Sequence, residues 1–188
     1  IITHGGVDDL VYNDFYIGED ADVTIVAGCG IHNCGVQNSQ HDGIHTFHVG
    51  KNARVRYVER HYGEGDGNGE NIMNPTTVVE LGEGSYMEME TTQIKGVDST
   101  IRTTRATLGP DATLIIHEKV MTHGKQHAKS DFTVDLNGAG CHTNVISRSV
   151  ARDNSRQVFL ARINGNAKCH GHSECDAIIM DNGVVAAI

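Results

Sequence analysis

IGEDADVTIV, residues 17–26, carries the unit on which the fold turns: an apolar residue, a Gly, Asn or Asp turn, then an alternating strand. The unit returns at Val49 (VGKNARVRYV), Leu81 (LGEGSYMEME), Leu108 (LGPDATLIIH), Leu136 (LNGAGCHTNV), Ile163 (INGNAKCHGH) and Met180 (MDNGVVAAI), at comparable intervals until the last, which is much shorter. Nearly every interval has room for two short strands and two turns, which is one coil of a solenoid. A lone unit of this size cannot bury its apolar face, whereas stacked neighbours can. The repeat always runs in one direction, so the strands stack in parallel. The expectation is an all-β chain, a parallel β-helix of about six coils, rather than a sandwich of hairpins.

A second apolar run precedes most turns: Ile44 to Val49, Thr77 to Leu81, Phe132 to Leu136, Val158 to Ile163 and Ala177 to Met180. Each coil therefore reads strand, tight turn, strand, longer return, and no segment has sustained helical periodicity with caps. The polar stretch Gly63 to Pro75 (GEGDGNGENIMNP) is expected to project as a loop. Period-two alternation assigns faces. Ala21, Val23, Ile25 and Ala27 share the inner side with Ala53, Val55 and Tyr57 and with Ala112, Leu114 and Ile116, and Cys29 continues that series. Counting back from the turns, Leu81, Val79 and Thr77 point inward, as do Val49, Phe47 and His45. Counting back from Met180, the inward residues are Ile178 and Asp176, so Cys175, Ala177 and Ile179 face outward. A strand apolar on both faces is normally covered on both, which implies a protein interface on that outer wall.

The chain has 188 residues, a formal net charge of −9 and 15 scattered basic residues, a poor match to nucleic acid. Abundant Val, Ile and Thr, 22 glycines and 2 prolines suit a turn-rich β protein. No apolar stretch is long enough to span a bilayer and no signal peptide opens the chain. It begins at Ile1 and stops at Ile188 within a repeat, so it reads as a fragment of something longer. Five cysteines, an odd number with no zinc-ribbon or CxxC spacing, and the absence of an Asn-x-Ser/Thr acceptor point to a reducing cytoplasm.

Two clusters hold possible chemistry. VAGCGIHNCG contains Cys29, His32 and Cys34, either a reactive thiol or ligand set or a small buried cysteine followed by a loop. QHDGIHTFHVG adds His41, His45 and His48, which suit structural roles as readily as ligation. CHGHSECD, Cys169 to Asp176, looks like a compact metal site, but on a strand its terminal cysteines stand roughly 20 Å apart, beyond sharing one ion. Cys175 then needs partners from another coil or chain. Glu59, Glu64, Glu88, Glu90, Glu118 and Glu174 include no pair that the sequence forces together, and Glu88 and Glu90, alternating with Met87 and Met89, read as a solvated face. No Gly-rich phosphate loop is present, so any nucleotide hydrolysis belongs to a partner.

IGEDADVTIVAGCG, GIHTFHVGKNARVRYVERHYGEG and GHSECDAIIMD together resemble the core of the SufB/SufD family of iron–sulfur cluster assembly proteins, the short archaeal and anaerobe type above all. The resemblance covers essentially residues 1–188 and implies a right-handed parallel β-helix core that ends before the family's C-terminal SufC-docking region. It implies a cytoplasmic scaffold, not itself an enzyme, that works with a SufC-type ATPase and a second SufB/SufD-type subunit. Sulfur would come from a cysteine desulfurase system or sulfide, and the cargo would be a transient iron–sulfur cluster. By the same resemblance Cys29 is the sulfur acceptor, Cys175 the iron ligand of the cluster, and His45 lines the path from the first cysteine. Cys34, Cys141 and Cys169 have no counterpart. Alternatives are a SufD-like structural partner without its own cluster and a β-helix enzyme acting on polysaccharide. The scarcity of aromatics and lack of Trp disfavour the latter.

Overall fold

Gly, Asn and Asp recur at the corners because the chain must turn sharply there, and the alternating runs between them supply one apolar row apiece. A computed structural model describes all residues 1–188. The strands are β1 (Ile2–His4), β2 (Asp8–Ile17), β3 (Asp22–His32), β4 (Ser39–Val49), β5 (Arg54–Glu64), β6 (Asn71–Met73), β7 (Thr76–Leu81), β8 (Tyr86–Lys95), β9 (Ser99–Leu108), β10 (Thr113–Thr122), β11 (His127–Leu136), β12 (His142–Ala151), β13 (Arg156–Gly165), β14 (His170–Ile179) and β15 (Val184–Ala187). There is no helix, and thus none long and apolar enough to cross a membrane.

Successive strands alternate between two parallel sheets. One runs β1-β3-β5-β8-β10-β12-β14; the other runs β15-β13-β11-β9-β6-β4-β2, with β7 continuing β6 between β4 and β9. Every pairing is parallel, so the chain winds as a solenoid of about six coils. Its lumen is the core: Phe47, Val55, Tyr57, Val79, Leu114, Ile116, Phe132 and Val145 are all buried against one another. The inner series expected after the tight turns is found as expected, with Ala53, Val55 and Tyr57 stacked over Val23 and Ile25.

The tight corners do not take their left-handed residue at the corner glycine. Gly50 and Gly82 do not have positive φ; that conformation belongs to Asp20, Asn52, Gly84 and Asp111, each two positions past its corner glycine. Asp and Asn tolerate it best among residues with a side chain. Gly50 is needed for another reason. A Cβ there would stand 2.8 Å from the Glu19 amide nitrogen of the preceding coil.

Residues 63–75 do not project. Gly67 N–H donates to Asn33 O (3.1 Å) and Asn68 N–H to Gly35 O (2.9 Å), so this loop lies flat on loop 33–38 of the coil before it. A Cβ on Gly67 would meet Gly35 O at 2.4 Å and one on Gly65 would meet Asn33 O at 2.1 Å. The glycines are there for close backbone approach, not for flexibility.

The repeat also has an irregular end. Ile163 pairs with Val134 and Gly165 with Leu136, so the sixth unit starts two positions early and keeps its parity. Met180 is different in kind: it lies at the corner leading from the first sheet to the second, where Ile179 pairs with the wholly buried Ala151. The short final interval is half a coil. At that corner the last inward residue is Ile179, and the assignment of faces along β14 is inverted. Cys175, Ala177 and Ile179 point into the lumen; Asp176 and Ile178 point out. The apolar outer wall and the interface inferred from it fall away, and Ile179, on the last coil, is half exposed.

Candidate functional site

Registered parallel strands place equivalent residues one above another, so inward polar residues form columns along the solenoid axis. In the first sheet one column runs Ala27, Glu59, Thr91, Glu118, Ser147, Cys175. The next inward column begins Cys29, His61, Gln93. The two cysteines thus lie on the same inner wall, in adjacent columns at opposite ends, with Glu59, His61 and Glu118 between them. Cys29 faces inward as its alternation requires and is 4 % exposed.

Arg102 reaches across from β9 in the opposite sheet. Its Nη1 donates to Glu59 Oε2 (2.9 Å), its Nη2 to His61 Nδ1 (3.0 Å), and its Nε lies 3.4 Å from Glu118 Oε1. Guanidinium hydrogens can only be donated, so His61 Nδ1 holds a lone pair and the ring proton is on Nε2, 3.2 Å from Glu59 Oε1. Tyr57 Oη donates to Glu59 Oε1 at 2.8 Å, and its oxygen accepts from His45 Nδ1 at 2.6 Å. Glu118 accepts from Ser147 Oγ (2.7 Å) and from Ser130 Oγ.

Burial pushes the Glu59 carboxyl up, but His61 and the Arg102 guanidinium outweigh it and hold the group well below the usual carboxylate range. His45 is held below its usual value by burial, against the pull of Glu59, so it is a neutral imidazole. Burial, with the Glu59 charge adding to it, keeps the Tyr57 hydroxyl protonated. The Cys29 thiol is pushed up to about 11 by burial and then by Glu59. Burial and then Glu118 raise Cys175 as well. Both cysteines are therefore thiols rather than thiolates in this fold at neutral pH.

Cys175 borders a small cavity of about 10 Å³, room for one water, shared with Glu118, Ser130 and Ser147. At the other end His41 Nδ1 lies 3.1 Å from Asp9 Oδ2, while its buried Nε2 has no partner. His41 Nε2 and His45 Nε2 each lie 3.3 Å from where a Cβ on Gly43 would sit. His48 is outside, stacked on Tyr16. A concavity of about 710 Å³ runs along the outer corner beside Gly18, Gly50, Gly82 and Gly109, and no thiol lines it.

Cys169 just precedes β14 and Cys175 lies on it, and no three His, Cys, Asp or Glu side chains converge to hold a metal ion. The CHGHSECD cluster is not a compact metal site. Cys169 instead neighbours Cys141 one coil back. Glu88 and Glu90 are on the outer face as expected. Sequence reading finds no pairing for Glu59 and Glu118 and passes over Arg102, because nothing local shows that carboxylates in two separate coils share a guanidinium from the opposite sheet. The available signal is parity: Glu59 continues the inward series Ala53, Val55, Tyr57, and Glu118 continues Ala112, Leu114, Ile116.

Residues 12–187 match a family model described as "SUF system FeS cluster assembly, SufBD core domain". The chain is also 28% identical over 190 residues to an "Iron-sulfur cluster assembly SufBD family protein" of Methanocaldococcus jannaschii, an alignment covering 100% of this chain and 58% of that protein. The chain thus spans little more than half the length of this curated relative. With a parallel solenoid of the kind the resemblance implied and a core-domain match along nearly its whole length, the chain belongs to the SufB/SufD family.

Proposed function

We propose that this domain is a scaffold on which sulfur and iron, both cargo rather than resident cofactors, are brought together for a nascent iron–sulfur cluster. It acts in a complex with a SufC-type ATPase and a second SufB/SufD-type subunit. Cys29 is the inner acceptor of persulfide-level sulfur that originates in a desulfurase system, sulfide where it is the source enters the nascent cluster directly, and Cys175 ligates iron. The carrying observation is the buried polar column between the two thiols. Glu59 and Glu118 are 1 % and 2 % exposed and Arg102 is 3 % exposed, beside an apolar cluster that includes Phe47, Val55, Leu114, Ile116 and Phe132. Burying such a set costs more than an apolar core of equal volume, and groups of this kind concentrate where chemistry needs them.

Sulfur transfer and iron ligation both need a thiolate. A bound iron ion would favour the thiolate of a coordinating cysteine; at Cys175 the released proton would pass to Glu118, with the Ser147 hydroxyl, which donates to Glu118, as a relay. His45, through Tyr57, fixes the Glu59 end of the same network and has a positioning role. Since Cys175 brings no further ligand with it, the remaining ligands come from the second subunit or from other segments of the full protein. That same observation favours the SufD-like reading, a structural subunit without its own cluster, as the second choice.

Anaerobic reconstitution of the full protein with ferrous iron and sulfide, followed by visible absorption, separates the two. Charge-transfer bands that are lost in Cys175→Ala support the scaffold; a parent that gains none, alone and with its partner subunit, refutes it.

A further inference from the structure

Of the five cysteines, Cys34 is the exposed one. It follows Cys29 closely, just past the end of β3, at the corner where the coil passes to the second sheet. Its Sγ is 3.3 Å from His32 Nε2, and His32 Nδ1 is 3.5 Å from Glu64 Oε1 on the adjoining coil. The two contacts agree on one tautomer: a proton on Nδ1 directed at the carboxylate leaves Nε2 free to take the thiol proton. His4 on β1 meets the His32 ring edge-on, with centroids 6.3 Å apart.

This is the arrangement of an activated nucleophile: a thiol in reach of a base, and the base oriented by a third group. Its setting is firm. Asn33 Oδ1 accepts from Gly35 N–H (3.0 Å) and Asn33 Nδ2 donates to Gln37 O (2.9 Å), while Asn33 N–H donates to Glu64 O (2.9 Å). The last contact ties the chain that carries the thiol directly to the residue that orients the base. Cys29 offers the opposite case: it lies behind the wall with its thiol pushed up to about 11, so a donor bearing sulfur on its surface cannot reach it.

We propose that Cys34, with His32 as base and Glu64 as positioning residue, is a surface site that takes the outer sulfur of a persulfide. The proposal rests on the sulfur-handling role argued above and names a different first acceptor from Cys29. The step balances without an external oxidant. His32 removes the Cys34 proton; the thiolate attacks the terminal sulfur of R–S–SH; the donor S–S bond breaks as the Cys34 S–S bond forms; and R–S⁻ leaves, taking the proton back from His32. A soft sulfur electrophile suits a thiolate, and the exposed position admits either a small or a protein donor.

The test exposes the full protein anaerobically to glutathione persulfide, quenches with an alkylating agent, and follows by peptide mass spectrometry which cysteine has gained one sulfur atom. Cys34 should be labelled first and fastest. His32→Ala should slow that labelling by about tenfold or more, as loss of a general base does. Glu64→Ala should also slow it, whereas Glu64→Gln, whose amide oxygen can still face Nδ1 at the same distance, should recover much of the rate; a Glu64 that acts only through its charge would show no such rescue. These side chains are solvent-accessible, so the variants are expected to fold, which circular dichroism checks. Equal labelling rates in the parent and His32→Ala, or labelling of Cys29 in Cys34→Ser at the parental rate, would overturn the proposal. Reconstitution with iron and free sulfide bypasses the persulfide step. Cys34→Ser should form a cluster there as the parent does, so a failure of the parent counts against the scaffold reading and the labelling result judges Cys34 separately.

Discussion

Replacing Arg102 by Met isolates the energetics of the lumen. The side chain is 3 % exposed and is the only cation shared by Glu59 and Glu118, so its removal strands two buried carboxyl groups at once. Breaking a buried ion pair by deleting one member costs about 3–5 kcal/mol, since the partner left behind is uncompensated. For a chain of this size that is a fall in melting temperature on the order of 10 °C. The pH dependence distinguishes charge from packing. In the parent, Glu59 titrates well below its ordinary 4.5, so its contribution is full above that value and is lost as pH falls towards the depressed one. Without Arg102, burial is opposed by fewer partners and the carboxyl moves up; the variant then loses stability as pH rises through the new value. The gap between parent and variant should therefore narrow as pH falls from neutrality towards the ordinary carboxyl value of 4.5. Thermal unfolding by far-UV circular dichroism across that range reads the effect. Amide exchange should place it in β5, β9 and β10, because coils of a solenoid contact only their neighbours. The double variant Glu59→Gln/Arg102→Met should lose less than the sum of the singles. If Arg102→Met melts within a degree or two of the parent, with the same pH profile, the buried carboxylates of Glu59 and Glu118 do not depend on the Arg102 charge.

Other outcomes follow from single contacts. Gly65→Ala should destabilise the chain by about 2 kcal/mol or more, since φ is +115° and Asn33 O would be 2.1 Å from the new Cβ, whereas Gly28→Ala, with open space, should change stability by less than about 0.5 kcal/mol in thermal melts. Alkylation of native Cys29 should stay slow until pH approaches about 11, and its contribution to stability, full below the ordinary 9.0, should be lost as pH rises between the two. Fast labelling at neutral pH would mean that the thiol is not buried in solution. Ser147→Val should leave Glu118 without one of its hydroxyl donors and lower stability by about 1–3 kcal/mol, measured by chemical denaturation.

Much of the architecture was legible along the chain because a β-solenoid is quasi-one-dimensional: the period places corners, and alternation decides which side chains enter the lumen. That sufficed for Cys29 and His45, both inward as their parity demands, and for the outward Glu88 and Glu90. It failed at Cys175 because Met180 imitates the other corners in composition yet sits half a coil away, and a shift of one residue exchanges the two faces. It failed at Gly65 and Gly67 because polar, glycine-rich composition does not distinguish a free loop from backbones packed against one another.

Local pattern settles the strand period, the parallel stacking and the inward place of Cys29, since each depends only on near neighbours along the chain. It does not specify which residues meet across the lumen or between coils. Arg102 on β9 joins Glu59 on β5 and Glu118 on β10 only once two sheets face each other. Glu64 meets His32 only because winding one full coil brings β5 alongside β3 in register. Stacking register and the closing of the lumen decided these, because the ion pairs and the Cys34–His32–Glu64 arrangement are contacts between distant segments that exist only when the coils are wound.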